Sequence, residues 1–415
     1  MIKAQAFRRG GRRTATVAAM GVLLLMGTAA CSSTADASSA GSDAAGAVEP
    51  LKVGVLVGLT GTYAALGTVQ REAIELYVED LNAAGGIDGT PIELTVLDTG
   101  SEPATAVNQL RQLAVQDEVD IVLGPSSSGE AIALKPFASS LKIPVLTLGS
   151  AESIVTPASE AAYIFKAYTD TRLALEAQME LVADRGWDKV ALLSVNNGYG
   201  QEAALYIDDF VTEYGFDLVG NEVFDAAATD VTAQLTKLEG ADPDVVLVWA
   251  VNPANAIVSK SAEAIDFGPV LFHSAGAGAP SYIETSGTSG EGTLLQGSKV
   301  LAAASMATDD PQYEVTQNFV EAYTAAYSAA PGQYAASAWD ASLLLDNAVR
   351  TMDDTATDLQ GRRDALRDAL ENNTDGLVGV NGVFTFTPEF HGPTGLAGLA
   401  VLRVEDGEFQ IDTTY

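Results

Sequence analysis

The chain has 415 residues, of which 55 are acidic and 22 basic, for a formal net charge of −33. Such a surface repels nucleic acid, which needs a basic footprint, and is read as solubility outside the cell. The single cysteine and the two histidines, His273 and His391, offer no disulfide pair and no metal-ligand spacing, so neither a zinc site nor any other cofactor is expected.

Lys3, Arg8, Arg9, Arg12 and Arg13 form a basic stretch without acids. Val17 to Ala30 is apolar or small and too short to span a bilayer stably, which is the layout of a secretory signal. The stretch "GTAACSS" resembles a bacterial lipobox, with Thr28 where leucine is usual, and the resemblance implies lipid on Cys31. The other reading is a secreted protein whose signal ends nearby. Ser32 to Pro50 has few large apolar residues and is predicted to be a flexible tether. The remainder, 51–415, is long for one core and predicts two domains.

Strand and helix then alternate. "KVGVLVGL" (52–59) reads as a buried strand. The helix after it carries Ile74, Tyr77, Val78 and Leu81 on one face and stops at Gly85 and Gly86. "IELTVLDT" (92–99), "DIVLGP" (120–125) and "PVLTLG" (144–149) are further strands, with helices between them. The pattern restarts with a helix near Thr171 to Arg185 and the strands "KVALLSV" (189–195), "DLVGNEVF" (217–224), "DVVLVWAV" (244–251) and "PVLFHS" (269–274). This order predicts α/β architecture with parallel sheets covered on both faces. "YAASAWDASLLLDNAVRTM" (334–352) is a strong helix. "NGVFTFTPEFHG" and "LAVLRVEDGEFQI" read together as a terminal hairpin turning at Glu405–Gly407.

In order and spacing, "KVGVLVGLTGTYAALG", "DLNAAGGIDGTPIEL", "DIVLGPSSSGEAIA", "IPVLTLGSA", "VNNGYGQEA", "YAASAWDASLLL" and "GVFTFTPEFHG" resemble the type I periplasmic binding proteins of the leucine/isoleucine/valine-binding group, the receptors of ATP-driven importers. The resemblance implies two doubly wound parallel-sheet lobes joined by a hinge of three chain crossings. Lobe 1 would be 51–168 with 300–378, and lobe 2 would be 169–299 with 379–415, after a signal at 1–31 and a tether at 32–50. It also implies a small-molecule ligand, permease subunits as partners, and a location on the outer face of the cytoplasmic membrane through Cys31.

In open parallel sheets, ligands bind beyond the carboxyl ends of the strands. The serine run lies at such an end, and Ser128 is predicted to begin the third helix, where unpaired N–H groups favour a carboxylate. The family's carboxylate-binding serine falls on Ser128, with Ser126 and Ser127 on the pocket wall; the competing reading of the run is a plain helix cap. By the same resemblance, Gly149 and Ser150 contribute backbone groups, and Tyr199 is either an aromatic wall or a packing residue at a helix start. Trp249 and Asn252 end a strand near the cleft, although Trp249 could equally be core.

Three positions depart from the amino-acid binders of the family. Ala151 stands where a carboxylate-binding threonine is expected, Ala275 near the ammonium-pairing acid, and Leu66 near a tyrosine. Glu152, Glu130 and Asp340 are candidate substitutes for the missing acid. The nominal ligand is a small, branched-chain amino acid or related carboxylate; aromatic carboxylates, amides and urea-like solutes are alternatives. A ligand sensor on the same fold and a secreted hydrolase are readings of other classes. Against the last, "GPSSSG" is not a nucleophile elbow and no catalytic residue is assigned, so the chain is not read as an enzyme.

Overall fold

The computed structural model describes residues 48–353 and 355–415. The signal segment, Cys31 and nearly all of the expected tether lie outside the described residues. Among the described residues, no helix is long and apolar enough to cross a membrane.

The first sheet comes from β1 (Leu51–Val57), α1 (Ala64–Ala83), β2 (Ile92–Asp98), α2 (Pro103–Val115), β3 (Ile121–Leu123), α3 (Ser128–Leu141), β4 (Val145–Thr147) and β5 (Ile164–Lys166). Its strands run parallel in the order β2-β1-β3-β4-β5. Side chains alternate between faces along a strand. Val53, Val55 and Val57 therefore enter one core, and Leu56 enters the core on the opposite face with Leu110, Leu113 and Leu134.

The chain then builds α4 (Thr171–Asp184), β6 (Lys189–Val195), α5 (Gly198–Tyr214), β7 (Asp217–Phe224), α6 (Thr232–Glu239), β8 (Val245–Trp249), α7 (Ala254–Glu263), β9 (Val270–His273), α8 (Pro280–Ser286) and β10 (Leu294–Ser298). It returns to the first lobe with α9 (Tyr313–Tyr327), α10 (Gln333–Thr351), α11 (Leu359–Asn372) and the short pair β11 (Leu377–Val378) and β12 (Val383–Phe384). α10 packs on α1, where Trp339 meets Tyr77 edge-on with ring centroids 4.7 Å apart. The chain ends in the second sheet with β13 (Leu399–Glu405) and β14 (Glu408–Thr414), giving the order β14-β13-β10-β9-β8-β6-β7. The architecture is the predicted two-lobed α/β fold with two parallel sheets, the second edged by an antiparallel hairpin.

Two expectations need correction. The terminal hairpin lies wholly within 399–414, and "NGVFTFTPEFHG" supplies only β12, which pairs with β11. The segment after 378 also stays with the first lobe, because Val380, Phe384 and Phe386 enter its core. Asp340 on α10 holds that segment by accepting the N–H of Val380 at 2.7 Å and of Asn381 at 2.8 Å. The last passage between sheets therefore falls between Phe386 and Leu399 rather than at 379.

Candidate functional site

A cavity of about 290 Å³ lies where the carboxyl ends of both sheets face each other. From the first lobe it is lined by Tyr63, Leu66, Ser101, Pro103, Ser126, Ser127, Ser128, Gly129, Leu148, Gly149 and Ser150. From the second lobe come Asn197, Gly198, Tyr199, Val251 and Gly276, while Tyr168 and Tyr334 lie at the passages between the lobes. Among the described residues, no charged side chain lines it.

The serine run is positioned by a turn that requires glycine. Gly124 has φ +98°, and a Cβ there would stand 2.0 Å from the Leu56 carbonyl. Each of the three hydroxyls then has a separate task. Ser126 Oγ accepts the Gly58 N–H at 3.2 Å and ties the turn to the loop after β1. Ser127 is the N-cap of α3: its Oγ accepts the Glu130 N–H, and the Glu130 carboxylate accepts the Ser127 N–H at 3.1 Å, a reciprocal capping box. Ser128 begins the helix, as the sequence predicts, and its Oγ accepts the N–H of Ser150 at 3.1 Å and of Ala151 at 3.2 Å. The capping role thus belongs to Ser127, and Ser128 braces the loop after β4.

That loop is wired to the first passage between lobes. Ser150 Oγ donates to the Thr169 carbonyl at 2.7 Å, and the Thr171 N–H donates to the Ser150 carbonyl at 3.1 Å. The Lys166 ammonium, fully buried, donates to the same carbonyl at 3.1 Å and pairs with Asp170, which in turn caps α4 through the Arg172 N–H. Opposite, the N-terminus of α5 points into the cavity, with Asn197 capping it by accepting the N–H of Tyr199 and Gly200. The Asn197 amide also donates to the Tyr63 hydroxyl at 3.0 Å, across the cleft. A second bridge is formed by Glu202 on α5, which accepts the N–H of Glu152 at 2.7 Å and of Ser153 at 2.9 Å.

The loop carrying Tyr63 is organised by Asp98. Burial alone would raise its carboxyl, but the Thr60 hydroxyl and the amides of Gly100, Leu59 and Thr60 donate to it and hold it below the usual range. The phenols go the other way. Burial raises Tyr63, Tyr168, Tyr199 and Tyr334, so all four stay uncharged near neutrality.

Of the ten positions singled out in the sequence, Ser126, Ser127, Ser128, Gly149, Ser150 and Tyr199 line the cavity and four do not. Ala151 lies behind the wall, its amide held by Ser128. Trp249 is fully buried in the second lobe's core, 5.4 Å from the Tyr199 ring. Asn252 turns its amide to the Ser281 hydroxyl, and Ala275 is covered while its neighbour Gly276 reaches the wall. Among the wall residues the sequence reading passes over are Tyr63, Tyr168, Asn197 and Tyr334. Tyr63 and Asn197 follow strands at their carboxyl ends, a signal that could have found them. Among the described residues, no cluster of metal-binding side chains is present.

Comparison with known proteins agrees with this geometry. Residues 50–408 match the family model described as periplasmic binding protein. The Leu/Ile/Val-binding protein homolog 7 of Brucella abortus is 26% identical over 243 residues, which are 57% of this chain and 61% of that protein; the match thus spans less than two thirds of that relative. The Leu/Ile/Val-binding protein homolog 3 of Brucella melitensis is 26% identical over 283 residues, 68% of this chain and 76% of that protein. Among solved structures, an extracellular ligand-binding receptor from Rhodopseudomonas palustris superposes with a TM-score of 0.81 at 25% identity, covering 88% of this chain and 99% of the other. The branched-chain amino acid transporter substrate-binding protein LivJ from Streptococcus pneumoniae, in complex with isoleucine, shares the fold with a TM-score of 0.75 at 23% identity, over 88% of this chain and 99% of its own. Two lobes, a cavity at the carboxyl ends of both sheets and a family match over most of the length lead to one conclusion: the chain belongs to the type I periplasmic binding proteins.

Proposed function

We propose that this protein is the solute receptor of an ATP-driven importer, closing its lobes around a small carboxylate-bearing ligand, nominally a branched-chain amino acid. The observation that carries the reading is the cavity itself, with the N-termini of α3 and α5 and the serine run at its wall. Helix N-termini favour negative charge. The family consists of substrate-binding receptors, and membership implies export. A lipid on Cys31 would hold the receptor beside its permease subunits, in keeping with the signal layout ending at that residue.

A thermal-shift screen of the full chain against amino acids, organic acids, amides and urea tests the reading. A ligand that binds the folded state alone raises the melting temperature. A panel in which no compound raises it would overturn the receptor assignment. Retention of a processed Cys31→Ala protein at the membrane would overturn the anchor.

A further inference from the structure

Outside the cavity wall, the two lobes meet at a junction of carboxylates. Glu202 on α5 is buried there and accepts the N–H of Glu152 at 2.7 Å and of Ser153 at 2.9 Å. It thus seats a negative charge on the backbone of a residue that is itself acidic. Glu152 begins a short turn, Glu152–Ile154, in the loop after β4. Its Oε2 is buried and has no hydrogen-bond partner among the described residues. A carboxylate oxygen without a donor is costly to bury, and a neutral acid is less so. The ligand does not claim this side chain: Glu152, Glu130 and Asp340, the three candidates for an ammonium's partner, all lie outside the cavity wall.

Charged groups face Glu152 from each neighbouring element. α5 brings the Glu202 carboxylate and the Tyr206 hydroxyl, the start of α4 brings Asp170, and β5 brings Lys166. The Lys166 ammonium is already paired with Asp170 and donates to the Ser150 carbonyl. Arg172 on α4 lies over the Tyr206 and Phe210 rings. Lys135 on α3 donates to the Ser153 and Thr156 carbonyls and pairs with Glu160. Burial, the Asp170 carboxylate and the Glu202 carboxylate raise the Glu152 carboxyl above its ordinary value, against the Tyr206 hydroxyl and the Lys166 ammonium, which lower it. Glu202 and Tyr206 belong to the second lobe and Glu152 to the first. When the lobes part, Glu152 regains water and loses a neighbouring negative charge, so its hold on a proton weakens.

We propose that closing the lobes takes up a proton at the Glu152–Glu202 junction, so that mild acid favours the closed receptor; this rests on the reading of the protein as a receptor whose lobes close. The sign follows from linkage. A carboxyl that holds its proton more tightly in the closed form stabilises closure in acid, and the gain is lost as the pH rises through the closed-form value.

Two measurements on the full chain without ligand test it. In small-angle scattering between about pH 8 and 5.5, where an ordinary exposed carboxylate stays ionised, the parent's radius of gyration should fall as the pH drops. Glu152→Gln, neutral throughout, should be compact across the range and show no response. A parent radius independent of pH, or a Glu152→Gln protein that keeps the parent's response, overturns the proposal. In carbon-13 NMR, the carboxyl resonance missing from Glu152→Gln should titrate above 4.5 in the parent and at lower pH in Glu202→Ala. Equal midpoints in those two proteins also overturn it. Neither readout uses a solute, so the failure of this junction and the failure of the receptor reading in the ligand screen are separate results.

Discussion

Ser128 Oγ accepts the Ser150 N–H at 3.1 Å, joining the first turn of α3 to the loop that leaves β4. The contact places one hydroxyl between two segments of the cavity wall. Ser128→Ala should therefore act twice. Two buried amides, those of Ser150 and Ala151, lose their acceptor, at about 1–3 kcal/mol of stability, and ligand affinity should fall by roughly tenfold or more. Ser127→Ala removes the cap alone and should cost about 1 kcal/mol of stability. Urea unfolding without ligand, paired with titration of the ligand found by screening, separates the two; an unchanged affinity in Ser128→Ala would remove Ser128 from the binding site.

Glu202 holds the two lobes together through the amides of Glu152 and Ser153. Hydrogen bonds to a charged group contribute about 1.5–3 kcal/mol each. Glu202→Ala should shift the unliganded protein towards a more open form, seen as a larger radius of gyration by small-angle scattering, and saturating ligand should restore compactness. Superimposable unliganded profiles for the variant and the parent would count against this bridge as a closure contact.

Lys166 and Asp170 form a fully buried pair at the first passage between lobes. Lys166→Met leaves a buried carboxylate without its partner and should cost about 3–5 kcal/mol. Adding Asp170→Asn, which keeps an oxygen for the Arg172 cap, should recover much of that loss. Chemical denaturation of the single and double variants measures it; a double variant no more stable than Lys166→Met alone would place the cost elsewhere.

His273 is buried in the second lobe, where Asn255 Oδ1 faces Nδ1 at 3.1 Å and the Ser259 hydroxyl faces Nε2 at 3.2 Å. Burial lowers its pKa from 6.5 to about 3. Between these values the unfolded chain binds a proton and the folded chain does not, so stability is full above pH 6.5 and falls as the pH drops. At pH 4.5 the group should contribute a loss of roughly 2–3 kcal/mol relative to neutrality. His273→Gln should flatten the pH dependence of unfolding free energy between pH 6.5 and 4.5. Parallel curves for the two proteins would contradict the lowered pKa.

The sheets were legible because their inner strands are buried on both faces, and "KVALLSV" or "DVVLVWAV" can hardly be anything else. β5 was not, because its three residues are followed by no glycine turn of the kind that follows the equally short β3 and β4. α11, "LQGRRDALRDALEN", is largely polar; it stays because Arg363 donates to the Val119 and Ala114 carbonyls and Leu366 and Leu370 enter the core. At the site, the serine run was legible from its strand–turn–helix order. Tyr168 and Tyr334 were not, since they lie where the chain passes between lobes and no local period marks a wall made by distant segments. Trp249 illustrates the converse error: it ends a strand on the ligand side, yet it is fully buried within the second lobe's core.

The uncharged wall of the cavity sits inside a molecule of net charge −33. For an anionic ligand, the far field is repulsive and no cation at the wall reverses it; attraction begins only within reach of the two helix termini. Salt shortens the reach of the repulsion, with a Debye length of about 10 Å at 0.1 M and about 3 Å at 1 M. The association rate should therefore rise with ionic strength, opposite to the behaviour of electrostatically steered pairs. Capture of an anionic solute would thus be fastest where salt screens the acidic surface.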